Sequence, residues 1–475
     1  MLLYSKTTKF LIKKTFSKKS IRPISNNFVE TAGFVPKIES YDYSNKKLLL
    51  LADGKYMTYN DVNNASGRYS NVLSKQFGIQ KGDTVLCRTS KTSDALALYL
   101  GILRLGATYV PLNPTYTKRE TEHFVNDAKP KLIVTLNQKE DKTFCDTSTV
   151  KHVLCEQQLA KDSTKFEPLL DVESANPEDV ACILYTSGTT GRPKGAMVTH
   201  AGLTANGQIC TDIWRFHSND RMVEHKELNK ESVKNMRVFI SGSAQLTPNV
   251  FEKFEQMTGH RILERYGMTE TLVSTSNPYE PVNQRIAGSV GKAAKGVEVW
   301  VRINKEGVIE VKSPSLFKGY LNLPEKTKQE FTDDGYFITG DMGEKDDKGY
   351  VWIKGRQKDL IISGGMNVYP TEVEEIVTIL FGERIKECAV IAVPHPDFGE
   401  AVVAICEASD SYKENISTEK YNLTADEKQI LKEKLAPYKI PKAFYFMNLP
   451  RNHLGKVQKN LLREMPKFKN MFQNA

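Results

Sequence analysis

Short apolar runs alternate with helix-like periods along the chain from about residue 45. The stretch "YNDVNNASGRYSNVLSKQFG" carries apolar residues on one helical face, with Asn60 as the expected N-cap and Gly78 as the expected stop. The runs "TVLCRT", "KLIVTL", "ACILYT" and "VFISG" have the length of strands and show no polar alternation. Strands of this kind are buried on both faces. The pattern therefore predicts doubly wound parallel sheets flanked by helices.

The pattern changes past about residue 285. The runs "VEVWVRI", "GVIEVKS", "GYFITGD" and "GYVWIKG" are short and separated by turns, which predicts a small antiparallel sheet or β-barrel. A second set of strands and helices begins after Arg356 with "CAVIAVPHP" and "VVAICEA". We expect an α/β protein with a large N-terminal domain (residues 30–356) and a small, mobile α+β C-terminal domain (residues 357–475).

The first 29 residues have a composition of their own. They contain seven Lys or Arg and four Ser, and no acid precedes Glu30. Basic, serine-rich and acid-poor segments are typical of mitochondrial transit peptides. We therefore predict that residues 1–29 are a transit peptide and that the mature protein lies in the mitochondrial matrix. A disordered basic tail is the alternative.

Composition limits the function classes. The 475 residues are 40% hydrophobic and 26% charged, with a net charge of +9, which is ordinary for an enzyme of two or three domains. The charge either helps to recruit anionic small molecules or is a solvated basic surface. No nucleic-acid motif is present, and the most apolar region, 94–112, is broken by Arg104 and two glycines, so no transmembrane segment is expected. The seven cysteines show no CxxC spacing, and we expect reduced thiols.

The stretch "YTSGTTGRPKG", residues 185–195, directly follows an expected strand. Its glycines allow close approach of the backbone, and its N–H groups, hydroxyls and lysine suit phosphate oxygens. The Walker pattern does not fit, because Pro193 stands where its second glycine is required and Gly195 follows Lys194. The stretch thus predicts a different kind of phosphate loop. A flexible surface linker is the alternative.

Five further stretches accompany this loop: "ISGSAQL", "ERYGMTET", "ITGD", "GRQKDLIISGG" and "PRNHLGKVQK". Together, and in this order, they resemble the acyl-adenylate-forming superfamily, which includes acyl-CoA synthetases. The resemblance implies that a carboxylate attacks the α-phosphate of ATP to give an acyl-adenylate and pyrophosphate. The thiol of CoA, as co-substrate, then displaces AMP. It also implies Mg²⁺ as a cofactor.

The resemblance assigns roles to individual residues. Thr269 meets the α-phosphate, Glu270 holds Mg²⁺ together with Thr186, and Lys456 bridges the attacking carboxylate and the α-phosphate. Asp341 accepts hydrogen bonds from the ribose hydroxyls. The full nucleotide-binding set implied is Thr186, Ser187, Gly188, Thr189, Thr190, Gly191, Lys194, Gly242, Ser243, Ala244, Tyr266, Gly267, Met268, Asp341 and Arg356.

Members of this superfamily rotate the C-terminal domain between the two steps. The resemblance places the hinge at Lys358, and it implies that Gly364 and Gly365 let the pantetheine arm of CoA pass.

Arg265, directly before the tyrosine of "YGMTE", bears on the choice of acid. A guanidinium can pair bidentately with a second carboxylate, and the surrounding sequence resembles malonyl-CoA synthetases. We expect a dicarboxylic acid, malonate or methylmalonate, as the substrate. An ion pair of Arg265 with Glu264 or another acid is one alternative interpretation. A short- or medium-chain fatty acyl-CoA synthetase is the alternative activity.

The chain departs from the superfamily between "MVTH" and "FISGS". Only residues 201–238 join these motifs, and much of that run is polar and lacks expected strands. Roughly sixty residues are lacking there, about two βα units of ~30 residues each, and a smaller shortening falls near "RINKEGVIE". Such a loss would expose a sheet edge and open one side of the acyl site. Two hypotheses follow: a working ligase with a trimmed core, or an inactive product that at best binds nucleotide.

Overall fold

The computed structural model of this chain describes residues 10–13, 45–51, 54–136, 150–186, 193–216, 220, 222–223, 229–243, 246–294, 299–415, 420–452 and 455–472. The helices are α1 (Tyr59–Phe77), α2 (Ser93–Arg104), α3 (Lys118–Ala128), α4 (Glu156–Ser163), α5 (His200–Trp214), α6 (Lys230–Val233), α7 (Pro248–Thr258), α8 (Pro324–Gln329), α9 (Pro370–Phe381), α10 (Ala425–Lys434), α11 (Lys459–Glu464) and α12 (Pro466–Lys469).

The strands, in chain order, are β1 (Phe10–Lys13), β2 (Lys47–Leu50), β3 (Tyr56–Thr58), β4 (Thr84–Arg88), β5 (Thr108–Pro111), β6 (Leu132–Thr135), β7 (His152–Cys155), β8 (Val180–Thr186), β9 (Lys194–Thr199), β10 (Met222–Val223), β11 (Met236–Ser241), β12 (Leu263–Met268), β13 (Leu272–Ser276), β14 (Lys292–Ala293), β15 (Trp300–Ile303), β16 (Val308–Lys312), β17 (Gly319–Tyr320), β18 (Phe337–Lys345), β19 (Val351–Arg356), β20 (Ile361–Ser363), β21 (Met366–Val368), β22 (Ile385–His395), β23 (Gly399–Ala408), β24 (Lys420–Tyr421) and β25 (Ala443–Phe446).

Two large sheets form the N-terminal region. The first has the order β17-β9-β8-β5-β4-β6-β7, and β8, β5, β4, β6 and β7 run parallel within it. The second has the order β10-β1-β11-β12-β13-β14. The expected strands near residues 84, 132 and 181 lie in the first sheet, and the one near residue 238 lies in the second. The predicted α/β architecture is confirmed.

The first helix begins earlier than the sequence pattern predicts. Thr58, not Asn60, is the N-cap of α1: its side chain accepts a hydrogen bond from the Asp61 N–H, and the Asp61 side chain accepts one from the Thr58 N–H. This reciprocal capping box satisfies two N–H groups, whereas Asn60 lies within the first turn. Gly78 ends the helix in the left-handed conformation, as expected. The buried face of α1 packs on α2 and the first sheet through the core residues Val72, Leu73, Val85, Ile102 and Leu132.

The short crossing between residues 201 and 238 is closed by polar contacts. Arg237, in β11, makes two hydrogen bonds to the Asp220 carboxylate, at 3.0 and 2.6 Å, and a third to the Trp214 carbonyl at 2.9 Å. The Trp214 indole donates to Ser276 Oγ at 3.0 Å. The crossing is therefore tied to both β11 and β13. It also contains the two-residue strand β10 and the short helix α6, although its polarity had indicated no strand.

The edge of β11 that was expected to be exposed is covered by another strand. β1 pairs antiparallel with β11, and β10 pairs with the other edge of β1. The expectation of an exposed sheet edge at β11 is therefore wrong. β1 lies inside the predicted transit peptide, so this pairing describes the chain before cleavage. Cleavage itself stays a prediction.

The remaining strands form smaller sheets. The four strands predicted after residue 285 make an antiparallel sheet of order β15-β16-β18-β19. The C-terminal region has its own sheet, with β22 and β23 as its long antiparallel pair and α9 packed against β22. Each described helix is too short or too polar to cross a bilayer. The six cysteines in the described ranges are free thiols.

Candidate active site

The predicted phosphate loop joins two antiparallel neighbours, β8 and β9. Thr186 ends β8 and pairs in register with Lys194, which begins β9. This pairing brings the two ends of the loop together. The residues between them that were predicted to bind phosphate lie outside the described residues, namely Ser187, Gly188, Thr189, Thr190 and Gly191.

Glu270 lies directly beyond β12 and is 3% exposed. Its Oε1 accepts a hydrogen bond from the Tyr320 hydroxyl at 2.9 Å, and Thr186 Oγ1 lies 3.4 Å from the same oxygen. Burial raises the pKa of Glu270, while the Tyr320 hydrogen bond and the charge of Lys194 act in the opposite direction. Thr269 is half-buried beside it. The structure thus brings together the two residues predicted to hold a metal ion.

Lys194 is held in place by two groups that the sequence did not indicate. Its Nζ lies 3.6 Å from the Glu330 carboxylate and 3.9 Å from the centre of the Tyr320 ring. Glu330 also pairs with Lys326 at 2.9 Å. Tyr320 therefore contacts both Lys194 and Glu270, and it joins the end of the phosphate loop to the predicted metal ligand.

Asp341 lies in β18 opposite Arg356 of β19. Its Oδ1 is 2.7 Å from Arg356 Nε, and its Oδ2 accepts a hydrogen bond from the Tyr266 hydroxyl at 2.6 Å. Burial raises the pKa of Asp341, and the Arg356 charge and the Tyr266 hydroxyl oppose this effect. Thr339, which sequence reasoning missed, supports both partners: its hydroxyl accepts from the Asp341 N–H and its carbonyl accepts from Arg356.

Lys456 reaches this site from the C-terminal region. The Lys456 side chain is exposed, but it has lost part of its hydration. This loss lowers the pKa of Lys456. The Arg356 charge acts in the same direction, whereas Asp341 and Glu270 raise the pKa. Lys456 is therefore near enough to both carboxylates for their charges to act on it. Its role in adenylation stays a prediction.

The loop after β11 lies against Arg265 of β12. A Cβ placed at Gly242 would stand 2.6 Å from Arg265 Nε, so the Arg265 side chain in this position lies directly against the glycine. Ser243 continues the loop with a φ of 73°, and Ala244 lies outside the described residues. Arg265 is half-buried, and its charge lowers the pKa of Cys210 on α5, against a larger effect of burial. Arg265 therefore lies against the loop, and its charge reaches Cys210 of α5.

Glu264, next to Arg265, is a buried acid with a different partner. It is 1% exposed, and its Oε1 accepts a hydrogen bond from the Leu246 N–H at 3.1 Å. Within the described ranges its Oε2 has no hydrogen-bond partner, and burial raises the pKa of Glu264 to about 7. The alternative ion pair between Arg265 and Glu264 is thus not formed. Sequence reasoning considered Glu264 only as a partner of Arg265 and missed its burial, because acids are rarely fully buried.

Gly267 and Met268 lie at the end of β12, where the pairing with β13 is irregular. Met268 packs against the cluster that contains Phe317 and Tyr320. These two residues therefore lie between Tyr266 on β12 and Glu270 beyond the end of the strand.

The remaining predicted residues lie at the domain boundary. Lys358 is exposed in a short 3₁₀ helix, Gln357–Asp359, and partial loss of hydration lowers its pKa. Gly364 and Gly365 form the turn between β20 and β21, with φ values of 59° and 78°. Among the described residues, an atom of Phe398 lies 3.5 Å from a Cβ placed at Gly364, and none lies within 4 Å of a Cβ placed at Gly365. This turn is exposed.

The arrangement combines a buried carboxylate with a hydroxyl, a second buried carboxylate with an arginine, and two lysines. Among the residues that the structure describes, no three His, Cys, Asp or Glu side chains come together as a metal site. A single carboxylate still suits Mg²⁺, which usually takes most of its oxygens from phosphates and water. The cations suit an anionic substrate, and Asp341 suits a donor such as a sugar hydroxyl.

Known proteins share this organisation. The profile of the AMP-binding enzyme family matches residues 39–225 and 219–321, and the profile of the AMP-binding enzyme C-terminal domain matches residues 372–456. A malonate–CoA ligase of Arabidopsis thaliana is 30% identical over 538 aligned positions, covering 88% of this chain and 86% of that protein. A long-chain-fatty-acid–CoA ligase of Bacillus subtilis is 28% identical over 524 positions, covering 86% and 90%.

The solved structures give the same result. The crystal structure of ATP-bound MatB from Rhodopseudomonas palustris is 36% identical, with a TM-score of 0.81, and the match covers 90% of this chain and 97% of that chain.

The two parts of the family match meet at residues 219–225, where the shortened crossing lies. Since 88% of 475 residues is about 418, at least about 120 of the 538 positions aligned with the Arabidopsis protein face no residue here. The chain belongs to the AMP-binding enzyme family and is an AMP-forming acyl-CoA ligase.

Proposed function

We propose that this ligase joins malonate or methylmalonate to CoA through an acyl-adenylate formed from ATP. The observation that carries the proposal is the placement of Arg265. It is a half-buried guanidinium against Gly242, on the strand that leads to Glu270 and facing α5. A cation in this position suits a substrate with a second carboxylate. The printed name of the Arabidopsis relative, a malonate–CoA ligase, supports the same substrate.

In the first step one carboxylate oxygen of the acid attacks the α-phosphorus of ATP. The new oxygen–phosphorus bond replaces the bond to pyrophosphate, which leaves. Lys456 stands between the two anions and offsets their repulsion, and Lys194 stabilises the charge on the leaving phosphates. Asp341 accepts hydrogen bonds from the ribose, held by Arg356 and Tyr266. Glu270 and Thr186 would hold Mg²⁺, which neutralises phosphate charge when bound.

In the second step the CoA thiolate attacks the acyl carbonyl, and the bond to AMP breaks. This step requires the C-terminal region to turn about Lys358, so that the Gly364–Gly365 turn replaces Lys456 at the site. Two glycines leave a gap that the pantetheine arm can pass. The exposure of this turn beside Phe398 is consistent with a surface that acts in the second conformation.

The test compares malonate with butyrate, an acid of similar size without the second carboxylate. Removing one partner of a buried charge-assisted pair costs about 2 to 4 kcal/mol, or roughly thirty- to a thousandfold in specificity. We expect kcat/KM for pyrophosphate release to favour malonate by about this factor, and Arg265→Met to remove the preference. Arg261→Met is the matched control, because Arg261 precedes β12 and pairs with Glu255 of α7.

The outcomes separate the candidate activities. A wild type that favours butyrate would support a short- or medium-chain fatty acyl-CoA synthetase instead. Binding of ATP without pyrophosphate release from either acid would support the nucleotide-binding product that the shortened crossing suggests. A malonate preference that survives in Arg265→Met would contradict the role assigned to Arg265.

A further inference from the structure

The connection between the two regions of the chain is anchored on its N-terminal side. Arg356 is the last residue of β19, and its guanidinium is bound to the buried Asp341 of β18 at 2.7 Å. A second contact, to the Thr339 carbonyl at 3.3 Å, also belongs to β18. The backbone at residue 356 is therefore fixed to the N-terminal region.

A second ion pair anchors the C-terminal side. Three residues later, Asp359 Oδ1 accepts a hydrogen bond from Arg463 Nη2 at 2.6 Å, with the two side chains only 16% and 26% exposed. Arg463 lies on α11, whose next residue towards the N-terminus, Leu462, is fully buried in the C-terminal core with Ala389. The backbone at residue 359 is therefore fixed to the C-terminal region.

Only Gln357 and Lys358 lie between these anchors, and both are exposed. A rotation between the regions must then be absorbed by the torsion angles of these two residues, since residues outside them are held by ion pairs. Because the two anchors are so close together, the rotation is confined to two residues and is not spread over a long linker. The charges of Asp341 and Arg463 both act on Lys358, which places it between the two pairs.

We propose that the Asp359–Arg463 ion pair is the C-terminal anchor of the hinge. Arg463 is then a positioning residue that determines the direction in which Lys456 faces Glu270 and Asp341. The functional meaning of this anchor rests on the proposed two-step reaction. The anchor itself is a property of the fold and can be tested without turnover.

The experiment is hydrogen–deuterium exchange of peptides that span residues 356–363, in the full chain. The Leu360 N–H bonds the Gln357 carbonyl and reports on the 3₁₀ turn between the anchors. We expect Arg463→Met to accelerate its exchange about fivefold, equivalent to about 1 kcal/mol, because a partly buried ion pair is lost. Asp359→Asn should have the same effect, and the double variant should show no further acceleration, because both changes remove one interaction.

Lys459→Met is the matched control. Lys459 lies on the same helix and pairs with Glu374 at 2.6 Å, with side chains 18% and 19% exposed, but this pair does not touch the hinge. Hydrogen–deuterium exchange of residues 356–363 in Lys459→Met should equal that of the wild type. Arg463→Lys should restore part of the protection, because an ammonium can still reach Asp359.

A second readout separates positioning from general damage. Arg463→Met should lower kcat of ATP–pyrophosphate exchange while KM for ATP stays the same, because the nucleotide contacts lie in the N-terminal region. Unchanged hinge exchange in both Arg463→Met and Asp359→Asn would overturn the anchor. Accelerated hinge exchange in a protein that shows no pyrophosphate exchange would support the anchor and contradict the proposed function.

Discussion

Glu264 makes the stability of this protein depend on pH in a way that can be calculated. It is 1% exposed, and burial raises its pKa to about 7 from an ordinary value of 4.5. The folded state thus binds this proton more tightly than the unfolded chain. The stability linked to the proton is fully present below the unfolded pKa and is lost as pH rises through the folded pKa.

The magnitude follows from the two pKa values. At 1.36 kcal/mol per pH unit, the ionised carboxylate costs the folded state about 3 kcal/mol at high pH. About 2 kcal/mol of this cost develops between about pH 5.5 and about pH 8.5. Glu264→Gln keeps an acceptor for the Leu246 N–H but cannot ionise. Between about pH 5.5 and about pH 8.5, the free energy of unfolding should therefore fall by about 2 kcal/mol less in the variant than in the wild type.

The assay is urea unfolding of wild type and variant at both ends of this range. Glu252→Gln is the control, since it removes one negative charge from the exposed face of the adjacent helix α7. The control should follow the pH dependence of the wild type. If Glu264→Gln also follows it, Glu264 does not titrate in this range and the reasoning from burial is wrong.

Four further predictions concern the site and the N-terminus. Lys456→Ala should abolish ATP–pyrophosphate exchange but spare CoA-dependent turnover of presynthesised acyl-adenylate, and parallel loss of both would contradict its role. Because the pKa of Lys456 is lowered and its charged form is required, wild-type exchange should decline with rising pH earlier than an ordinary lysine would allow. Tyr320→Phe removes a hydrogen bond to the Glu270 carboxylate and should raise the Mg²⁺ concentration needed for half-maximal exchange about tenfold; an unchanged requirement would separate Tyr320 from the metal site. N-terminal sequencing of mature protein should start between about residues 20 and 35, whereas an intact Met1 in a cytosolic fraction would exclude import.

Local patterns were enough to predict several buried strands and the end of the first helix. The uniform apolar runs at β4, β6 and β8 predicted buried parallel strands, because alternation is lost when both faces are covered. Gly78 was correctly predicted to end α1, because the left-handed conformation there favours glycine. Motif resemblance also indicated Thr186 and Glu270, whose side-chain oxygens lie 3.4 Å apart, and Asp341 and Arg356, which form an ion pair.

Contacts between distant segments were decided only by the tertiary structure. Tyr320 lies 50 residues from Glu270, in a stretch whose turn residues give no sign of a buried hydroxyl contact. Glu264 looks like any surface acid until β12 packs beneath the loop that ends at Leu246. The crossing that reads as polar and incomplete is closed by the buried pair of Asp220 and Arg237. Periodicity reports which face of an element is buried, but it carries no information on which other element covers that face, and these three contacts depend on that choice.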